Sequence, residues 1–204
     1  DDNRYLFISA ANSTSGNELY LKDLSVPNSP IVAIHKGFEY DVDVLDNIGT
    51  TLFIVTNLKA PNKRIVTVDV ANPGVENWKD LIPETEQVLN PSTGVGYIFA
   101  NYMKDAVSVV KQFDYKGKLI RTIALPGVGT ASGFGGKAKD KELYFSFTNY
   151  VTPGTTYTFF PDSGKSSVYV KPKVDFVSEN YESKQVFFTS KDGTKVPMII
   201  THKK

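Results

Sequence analysis

Short apolar runs, rich in β-branched and aromatic residues, alternate along this chain with clusters of Gly, Pro, Asn and Asp. Such runs are typical of β-strands, because these side chains pack well on a pleated surface and the residues between them favour turns. The stretch NWKDLIPE resembles a helix, but it is short and ends next to a proline. The pattern therefore predicts an all-β chain. Its clearest runs are RYLFIS, TTLFIVT, KRIVTVDV, VSVVKQF, ELYFSFT, TTYTFF, SSVYV and QVFFTS.

The predicted strands recur at a nearly constant interval. When RYLFISAAN, TTLFIVTNL, GYIFANYMK and ELYFSFTNY are aligned, Leu6, Leu52, Ile98 and Leu143 are equivalent, and their spacings are 46, 46 and 45 residues. Further extended segments surround these runs and give about four strands per repeat, which is the sequence signature of a β-propeller blade. We therefore predict that the four residues occupy equivalent buried positions. A large β-sandwich or barrel with even spacing is the alternative.

The repeat divides the chain into successive blades. Residues 1–35 form an incomplete blade, because they begin at a second strand and lack the innermost one. The next three blades are predicted at residues 36–88, 89–138 and 139–175. Residues 176–204 end in a hairpin whose turn is Asp192-Gly193, a dipeptide that favours a two-residue turn.

Composition excludes several classes of protein. The net charge is only +1, which predicts no nucleic-acid partner and no anionic membrane surface. The chain has no cysteine, so it contains neither a disulfide nor a thiolate zinc site. It also has no run of about 18 apolar residues, and its first residues, DDNRYLFIS, lack the basic segment and cleavage site that would predict a signal peptide. The localisation stays unknown, either cytoplasmic or periplasmic.

Residues that carry chemistry are few. The two histidines are His35, inside a β pattern, and His202, near the end, and neither is predicted to be catalytic. The glycine-rich segment GVGTASGFGGK fails as a phosphate-binding loop, because Ala131 and Ala138 stand where the motif needs Gly and Ser or Thr. It is better interpreted as an inner blade strand. The sequon at Asn12 is interpreted as a polar turn.

Three aspartates close together offer the one candidate for a metal site. Asp41 and Asp43 are two residues apart on a predicted strand, with Asp46 and Asn47 shortly after them. They lack the spacing of a calcium-binding loop, so we favour carboxylates that face a solvated channel. The sequence thus predicts no catalytic residue, no cofactor-binding residue and no metal ligand.

Five segments resemble the prolyl oligopeptidases, also called prolyl endopeptidases, and the resemblance extends over the whole chain. In that family a seven-bladed propeller is inserted into an α/β-hydrolase domain. The resemblance implies that residues 1–175 are about four of these blades and that residues 176–204 are the crossover and first hairpin of the hydrolase domain. The segments are FEYDVDV, SPIVAIHKGFEYD, NKRIVTVDVANPGVENWKDLIPE, KELYFSFTNYVTPGTTYTFF and SKDGTKVPMIITHKK.

The resemblance also implies a function. The parent protein would be a serine-type endopeptidase, without a cofactor, that cleaves short peptides after proline, and the propeller would be a size-selective cap over its active site. The chain has no G-x-S-x-G motif. The resemblance implies that the catalytic triad lies beyond Lys204, so these 204 residues alone are expected to be inactive.

Two other functions stay open at this point. The chain could be a free-standing propeller used as a binding scaffold, or an unrelated secreted sandwich that binds carbohydrate. A G-x-S-x-G domain encoded after Lys204 would favour the peptidase over the scaffold. A partial propeller would also leave an uncovered sheet face at each end, so we expect these residues to form a homodimer or a larger assembly.

Overall fold

The computed structural model describes residues 3–204. Within that range the chain forms β-strands and two 3₁₀-helices, Val75–Asn77 and Ser178–Asn180. The strands are β1 (Tyr5–Ala10), β2 (Glu18–Asp23), β3 (Val32–His35), β4 (Val42–Ile48), β5 (Thr51–Thr56), β6 (Arg64–Asp69), β7 (Lys79–Ile82), β8 (Leu89–Gly94), β9 (Tyr97–Lys104), β10 (Val107–Phe113), β11 (Leu119–Thr122), β12 (Thr130–Gly133), β13 (Leu143–Thr148), β14 (Thr155–Phe160), β15 (Lys165–Val170), β16 (Tyr181–Thr189) and β17 (Lys195–Lys203).

The strands form five sheets in which neighbours in the chain are neighbours in the sheet. The first sheet has three strands, β1 to β3, and the next three have four strands each, β4 to β7, β8 to β11 and β12 to β15. Strands β16 and β17 form a separate hairpin. Four-stranded meanders that recur in this way are the architecture of propeller blades. The prediction of an all-β chain that forms part of a propeller is confirmed.

The chain divides into two compact units, of which the first ends at Pro91 and the second spans Ser92–Lys204. The core of the first unit joins one face of the first sheet to one face of the second sheet. Its buried side chains alternate along their strands, as a half-buried sheet requires. They are Tyr5, Leu19, Leu21, Ile34, Val42, Leu52, Ile54, Val66 and Val68.

The core of the second unit is built largely from phenylalanine. Phe134 lies at its centre, 4.6 Å from the ring of Phe145 and 5.6 Å from the ring of Phe99, in stacked geometry. Phe159 meets both Phe99 and Phe134 edge to face. These contacts join β9 to the fourth sheet and bury large apolar area, so they bind the two sheets firmly together.

The predicted equivalence of the four repeat residues is wrong at its first member. Leu52, Ile98 and Leu143 are fully buried, whereas Leu6 is 44% exposed. Tyr5 and Phe7 turn toward the core of the first unit, so Leu6 points to the opposite face, where Lys22 is its cross-strand partner. None of the described residues covers that face enough to bury it.

Two boundaries differ from those expected from the repeat. Thr130–Gly133 pairs with β13, so the fourth sheet begins at residue 130 rather than at 139, and the third sheet ends at Thr122. The helix-like stretch that contains Lys79–Ile82 is in fact strand β7, which pairs with β6.

Truncation of Leu52 tests this packing. Leu52→Ala is expected to lower the free energy of unfolding by about 2 to 5 kcal/mol, because it leaves a cavity in a buried site. The matched variant Leu6→Ala is expected to cost about 0.5 kcal/mol or less, as is usual for an exposed side chain. Trp78 is the single tryptophan and packs against this core, so its fluorescence during urea titration reports unfolding of the first unit. Equal losses for the two variants would contradict the assignment of the faces.

Candidate functional site

The two histidines occupy ordinary strand positions. His35 ends β3, is buried, and its Nδ1 lies 3.1 Å from the carbonyl oxygen of Asn17. His202 lies on the exposed part of β17, where its Nε2 is 2.8 Å from Oε1 of Glu182 on the facing strand. These contacts fix each ring within its own sheet. The expectation that neither histidine is catalytic stays a prediction.

The aspartates do not come together as a cluster. Asp41 lies just before β4 and accepts a hydrogen bond of 2.9 Å from the Gly16 N–H, while Lys63 Nζ is 3.4 Å from its other oxygen. The Gly16 N–H, and then the Lys63 ammonium, hold the pKa of Asp41 below its usual value, against the opposing effect of desolvation. Asp43 is exposed on β4. Within residues 3–204 no group of three or more His, Asp or Glu side chains is arranged to hold a metal ion.

The glycine-rich segment forms a strand and a bend. Residues Thr130–Gly133 are β12, and both Gly133 (φ 109°) and Phe134 (φ 64°) adopt positive φ, which a helix cannot accommodate. The Phe134 ring then enters the aromatic core. Asn12 lies exposed in the loop between β1 and β2.

A buried asparagine joins the first two sheets. Asn17 precedes β2, and its side chain accepts from the Val42 N–H (2.8 Å) and donates to the Val42 carbonyl (2.9 Å) and to Ser9 Oγ (3.1 Å). Its own N–H donates to the carbonyl of Tyr40 at 3.0 Å. Val42 is the first residue of β4, which is an edge strand, so its N–H and carbonyl have no neighbouring strand to pair with. The Asn17 side chain satisfies both groups.

The second unit repeats this arrangement with a serine. Ser108 Oγ accepts from the Ala131 N–H at 3.0 Å and lies 3.4 Å from the Ala131 carbonyl, which also accepts from Asn101 Nδ2 at 2.8 Å. The N–H of Ser108 donates to the carbonyl of Gly129, two residues before Ala131, just as that of Asn17 donates to Tyr40, two residues before Val42. We call these two contacts the Asn17 clip and the Ser108 clip. Both tie one sheet to the first strand of the next.

Beside the Ser108 clip lies an open cleft of about 310 Å³, which we call the hairpin cleft. Its walls come from the β9–β10 turn, the start of β12, the end of β13 and strand β17. Tyr150 stands at its rim with 77% of its surface exposed. The lining is small or apolar apart from threonine and asparagine, and it consists of Ala106, Val128, Gly129, Thr130, Thr148, Asn149, Tyr150 and Ile199.

Asn149 and Gly129 hold the wall of the hairpin cleft. Asn149 Oδ1 accepts from the N–H groups of Val151 (3.0 Å) and Thr152 (2.7 Å), and its Nδ2 donates to the Val128 carbonyl at 2.9 Å. A Cβ on Gly129 would lie 2.4 Å from the Thr148 carbonyl oxygen, so the two segments approach this closely only with glycine there. The hairpin cleft is thus a preformed, rigidly supported surface that could receive an apolar or aromatic group.

Sequence reasoning singled out the segment that contains Gly129 and Ala131, but only as an inner blade strand, and it assigned no residue to a clip or to the cleft. Ser108 carries a signal, because it is a polar residue at an inward position of the run AVSVV. The sequence around Tyr150 and Ile199 contains no such signal, because their proximity depends on the position of the last hairpin.

The proteins that this chain is similar to share the propeller architecture described above. Residues 1–172 match the family described as prolyl oligopeptidase, N-terminal beta-propeller domain. The chain is 56% identical over 204 residues to a prolyl endopeptidase of Elizabethkingia miricola, covering 100% of this chain and 29% of that protein. It is 33% identical over 164 residues to a prolyl endopeptidase of Dictyostelium discoideum, covering 74% and 21% of the two chains.

A solved structure from a study of two prolyl endopeptidases superposes with a TM-score of 0.86 at 35% identity, covering 100% of this chain and 30% of that one. Prolyl oligopeptidase B from Galerina marginata, in its apo form, gives a TM-score of 0.87 at 27% identity, covering 99% and 30%. The chain therefore spans less than a third of the length of these relatives. The fold is a partial β-propeller, which rules out the sandwich alternative.

Removal of the Asn17 side chain tests the first clip. Asn17→Ala leaves the buried N–H and carbonyl of Val42 without their partner, and each such group costs about 1 to 3 kcal/mol. We expect a clear loss of stability in urea titrations followed by Trp78 fluorescence. Asn12→Ala, an exposed asparagine of the same loop, is the control and should change nothing measurable. If Asn17→Ala proved as stable as its control, the clip would not contribute to the junction.

Proposed function

The chain belongs to the prolyl oligopeptidase family, and from this premise we propose that it is the propeller portion of a serine-type endopeptidase that cleaves short peptides after proline. The observation that carries the proposal is that prolyl endopeptidases match it from its first residue to its last at up to 56% identity. In this proposal the catalytic serine, acid and histidine belong to a hydrolase domain, and residues 1–204 supply none of them.

We divide the chain at about residue 175 into propeller and crossover. The match to the propeller family ends at residue 172, two residues after β15 ends at Val170. Strands β16 and β17 then pair with each other and join none of the four larger sheets. Both observations support the interpretation of residues 176–204 as the first hairpin of the hydrolase domain.

The hairpin also indicates which end of the fourth sheet faces the hydrolase domain in this proposal. Gln185 Nε2 donates to the carbonyl of Asp105 in the β9–β10 turn, and Ile199 lies in the hairpin cleft. The β9–β10 turn and the loop after β13 are at one end of their sheets. We infer that this end forms the underside of the cap, next to the peptidase domain.

The proposed substrates are short proline-containing peptides, which a narrow passage admits while it excludes folded proteins. Prolyl oligopeptidase B from Galerina marginata has been solved with a 35mer hydrolysis and macrocyclization substrate and with a 25mer macrocyclization substrate. Those complexes support peptides as the substrate class. A bacterial origin is in keeping with the Elizabethkingia relatives.

The alternative of a free-standing binding scaffold has less support. The relatives that match along the whole chain carry the names of peptidases, and none of the observed contacts favours a separate ligand class. The homodimer expected from uncovered sheet faces stays a prediction. Leu6 on the first sheet and Tyr144 on the fourth are among the exposed apolar side chains that such an assembly would cover.

A chimera tests the proposal. We would replace the matching 204 residues of the Elizabethkingia miricola prolyl endopeptidase with this chain and measure cleavage of a chromogenic peptide with proline before the scissile bond. The chimera is expected to cleave that peptide, to spare the same peptide with alanine in place of proline, and to spare a folded protein. The isolated chain is expected to show no cleavage and no labelling by an active-site serine reagent. A folded but inactive chimera, or a labelled serine in the isolated chain, would contradict the proposal.

A further inference from the structure

An open pocket lies at one end of the second sheet, where β5 begins, β6 ends and β7 begins. Its volume is about 480 Å³, within the range of about 300 to 1,000 Å³ that is typical of small-ligand sites. All of its lining belongs to the first unit. We call it the Trp78 pocket. The lining residues are Thr51, Thr67, Val68, Asp69, Asn72, Glu76, Asn77, Trp78 and Lys79.

One wall of the Trp78 pocket is a face of the second sheet. Thr51 is opposite Asp69 in the pairing of β5 with β6. Thr67 is opposite Lys79 in the pairing of β6 with β7. Residues directly opposite each other, and residues two apart on one strand, share a face of the sheet. This wall therefore presents two hydroxyl groups beside a carboxylate and an ammonium group.

The other wall is the connection between β6 and β7, residues 70–78. The corresponding connections of the third and fourth sheets are shorter and span residues 114–118 and 161–164. Of these three connections, all within the described part of the chain, only residues 70–78 contain a 3₁₀-helix. Binding residues are found more often on long loops held by a sheet than on tight turns. The length of this connection thus favours a role in binding.

Hydrogen bonds hold the connection in a fixed shape. Asp69 Oδ1 accepts from the Ala71 N–H (2.8 Å), and its Oδ2 accepts from the Thr50 hydroxyl (2.7 Å). The indole N–H of Trp78 donates to the Pro73 carbonyl at 3.0 Å, and part of the ring packs on the core of the first unit. A site whose shape exists before binding loses less entropy when a ligand enters.

The charges of the lining favour a neutral ligand. The Ala71 N–H, and then the Thr50 hydroxyl, hold the pKa of Asp69 below its usual value, so this group is an ionised acceptor at neutral pH. Glu76 adds a second carboxylate, which disfavours an anion, whereas the Lys79 ammonium group disfavours a cation. An apolar ligand would cover these polar groups without giving them partners, which is costly.

Several polar groups of the Trp78 pocket are available to such a ligand. In the described part of the chain, the side chains of Thr51, Asn72 and Lys79 form no hydrogen bond or ion pair with another residue. Together they offer donors and acceptors at short spacing, which is what adjacent hydroxyl groups need, because each hydroxyl both donates and accepts. The C–H groups of a sugar ring are apolar and pack on an aromatic side chain.

We propose that the Trp78 pocket binds a neutral hexose ring, either as a free sugar or at the end of a glycan. The Trp78 indole contacts the C–H groups of the ring, and Asn72, Lys79 and Asp69 form hydrogen bonds with its hydroxyl groups. The inference does not depend on the proposed peptidase activity, because every lining residue belongs to the first unit and none has a proposed catalytic role.

Trp78 is also the reporter of binding, because it is the single tryptophan of the chain. We would titrate the 204-residue chain with the methyl glycosides of glucose, galactose, mannose and N-acetylglucosamine, each to about 50 mM, where millimolar binding is nearly complete. At least one of them is expected to shift the Trp78 emission in a saturable way and to perturb amide NMR signals within residues 67–79. Choline is titrated in parallel, as a cation that an aromatic ring can bind.

A disaccharide that ends in the preferred hexose distinguishes the two sources of the ring. Tighter binding of the disaccharide than of the methyl glycoside would assign the site to glycan ends. Equal or weaker binding of the disaccharide would assign it to free sugars, and either result supports the site.

Asn72→Ala is the sharpest variant, because it removes a donor and an acceptor from the pocket and keeps the backbone bond from the Asn72 N–H to the Asp69 carbonyl. Asn12→Ala removes another exposed asparagine of the first unit and is the matched control. We expect Asn72→Ala to weaken sugar binding about tenfold, as the loss of a hydrogen bond implies, and the control to bind unchanged. Lys79→Met keeps the apolar stem of the side chain and should weaken binding similarly.

Urea titrations followed by Trp78 fluorescence show whether the variants are folded. The proposal is overturned if none of the glycosides shifts the emission or the amide signals, or if choline binds and the sugars do not. It is equally overturned if a sugar binds but Asn72→Ala and Lys79→Met bind it as tightly as the unchanged chain, since the ring would then lie elsewhere.

Discussion

Strands β4 and β12, the first strands of the second and fourth sheets, present backbone N–H and C=O groups at an edge, and these groups need partners once the apolar faces close over them. In both units the partner is a buried polar side chain of the preceding sheet. The Asn17 side chain forms hydrogen bonds with the N–H and the carbonyl of Val42, and the Ser108 hydroxyl forms them with the N–H and the carbonyl of Ala131. An unpaired buried amide or carbonyl would cancel much of what the apolar contacts contribute. The clips therefore allow twisted sheets to stack face against face.

The rest of each unit follows from that constraint. Once a clip fixes the start of a sheet, the alternation of its strands determines which side chains enter the core, as with Leu52 and Ile54 in one unit and Phe145 and Phe147 in the other. The hairpin cleft lies next to the Ser108 clip, because Gly129 is both the acceptor for the Ser108 N–H and part of the cleft wall. The local rigidity of that wall thus comes from the same contacts that hold the sheets together.

Much of the fold could be predicted from the sequence, because strand repeats depend on local patterns of apolar residues and turns. The exceptions have physical reasons. Leu6 matches the repeat in sequence, but burial of its face depends on a neighbouring sheet and not on its own strand. Strand β7 was not predicted from the sequence, because its residues KDLI include two charged ones and follow a short 3₁₀-helix. The hairpin cleft could not be predicted, since Ala106, Tyr150 and Ile199 meet only through tertiary packing.

The exchange rates of two backbone amides, measured by NMR in the unchanged chain, test the role of the clips most directly. The amides of Val42 and Ala131 point away from the strands that pair with β4 and β12, and their acceptors are the side chains of Asn17 and Ser108. If the clips are formed and buried, both amides exchange as slowly as that of Ile54 in the interior of the second sheet. If they exchange as fast as the exposed loop amide of Asn12, the clips do not hold the sheets together and the account is wrong.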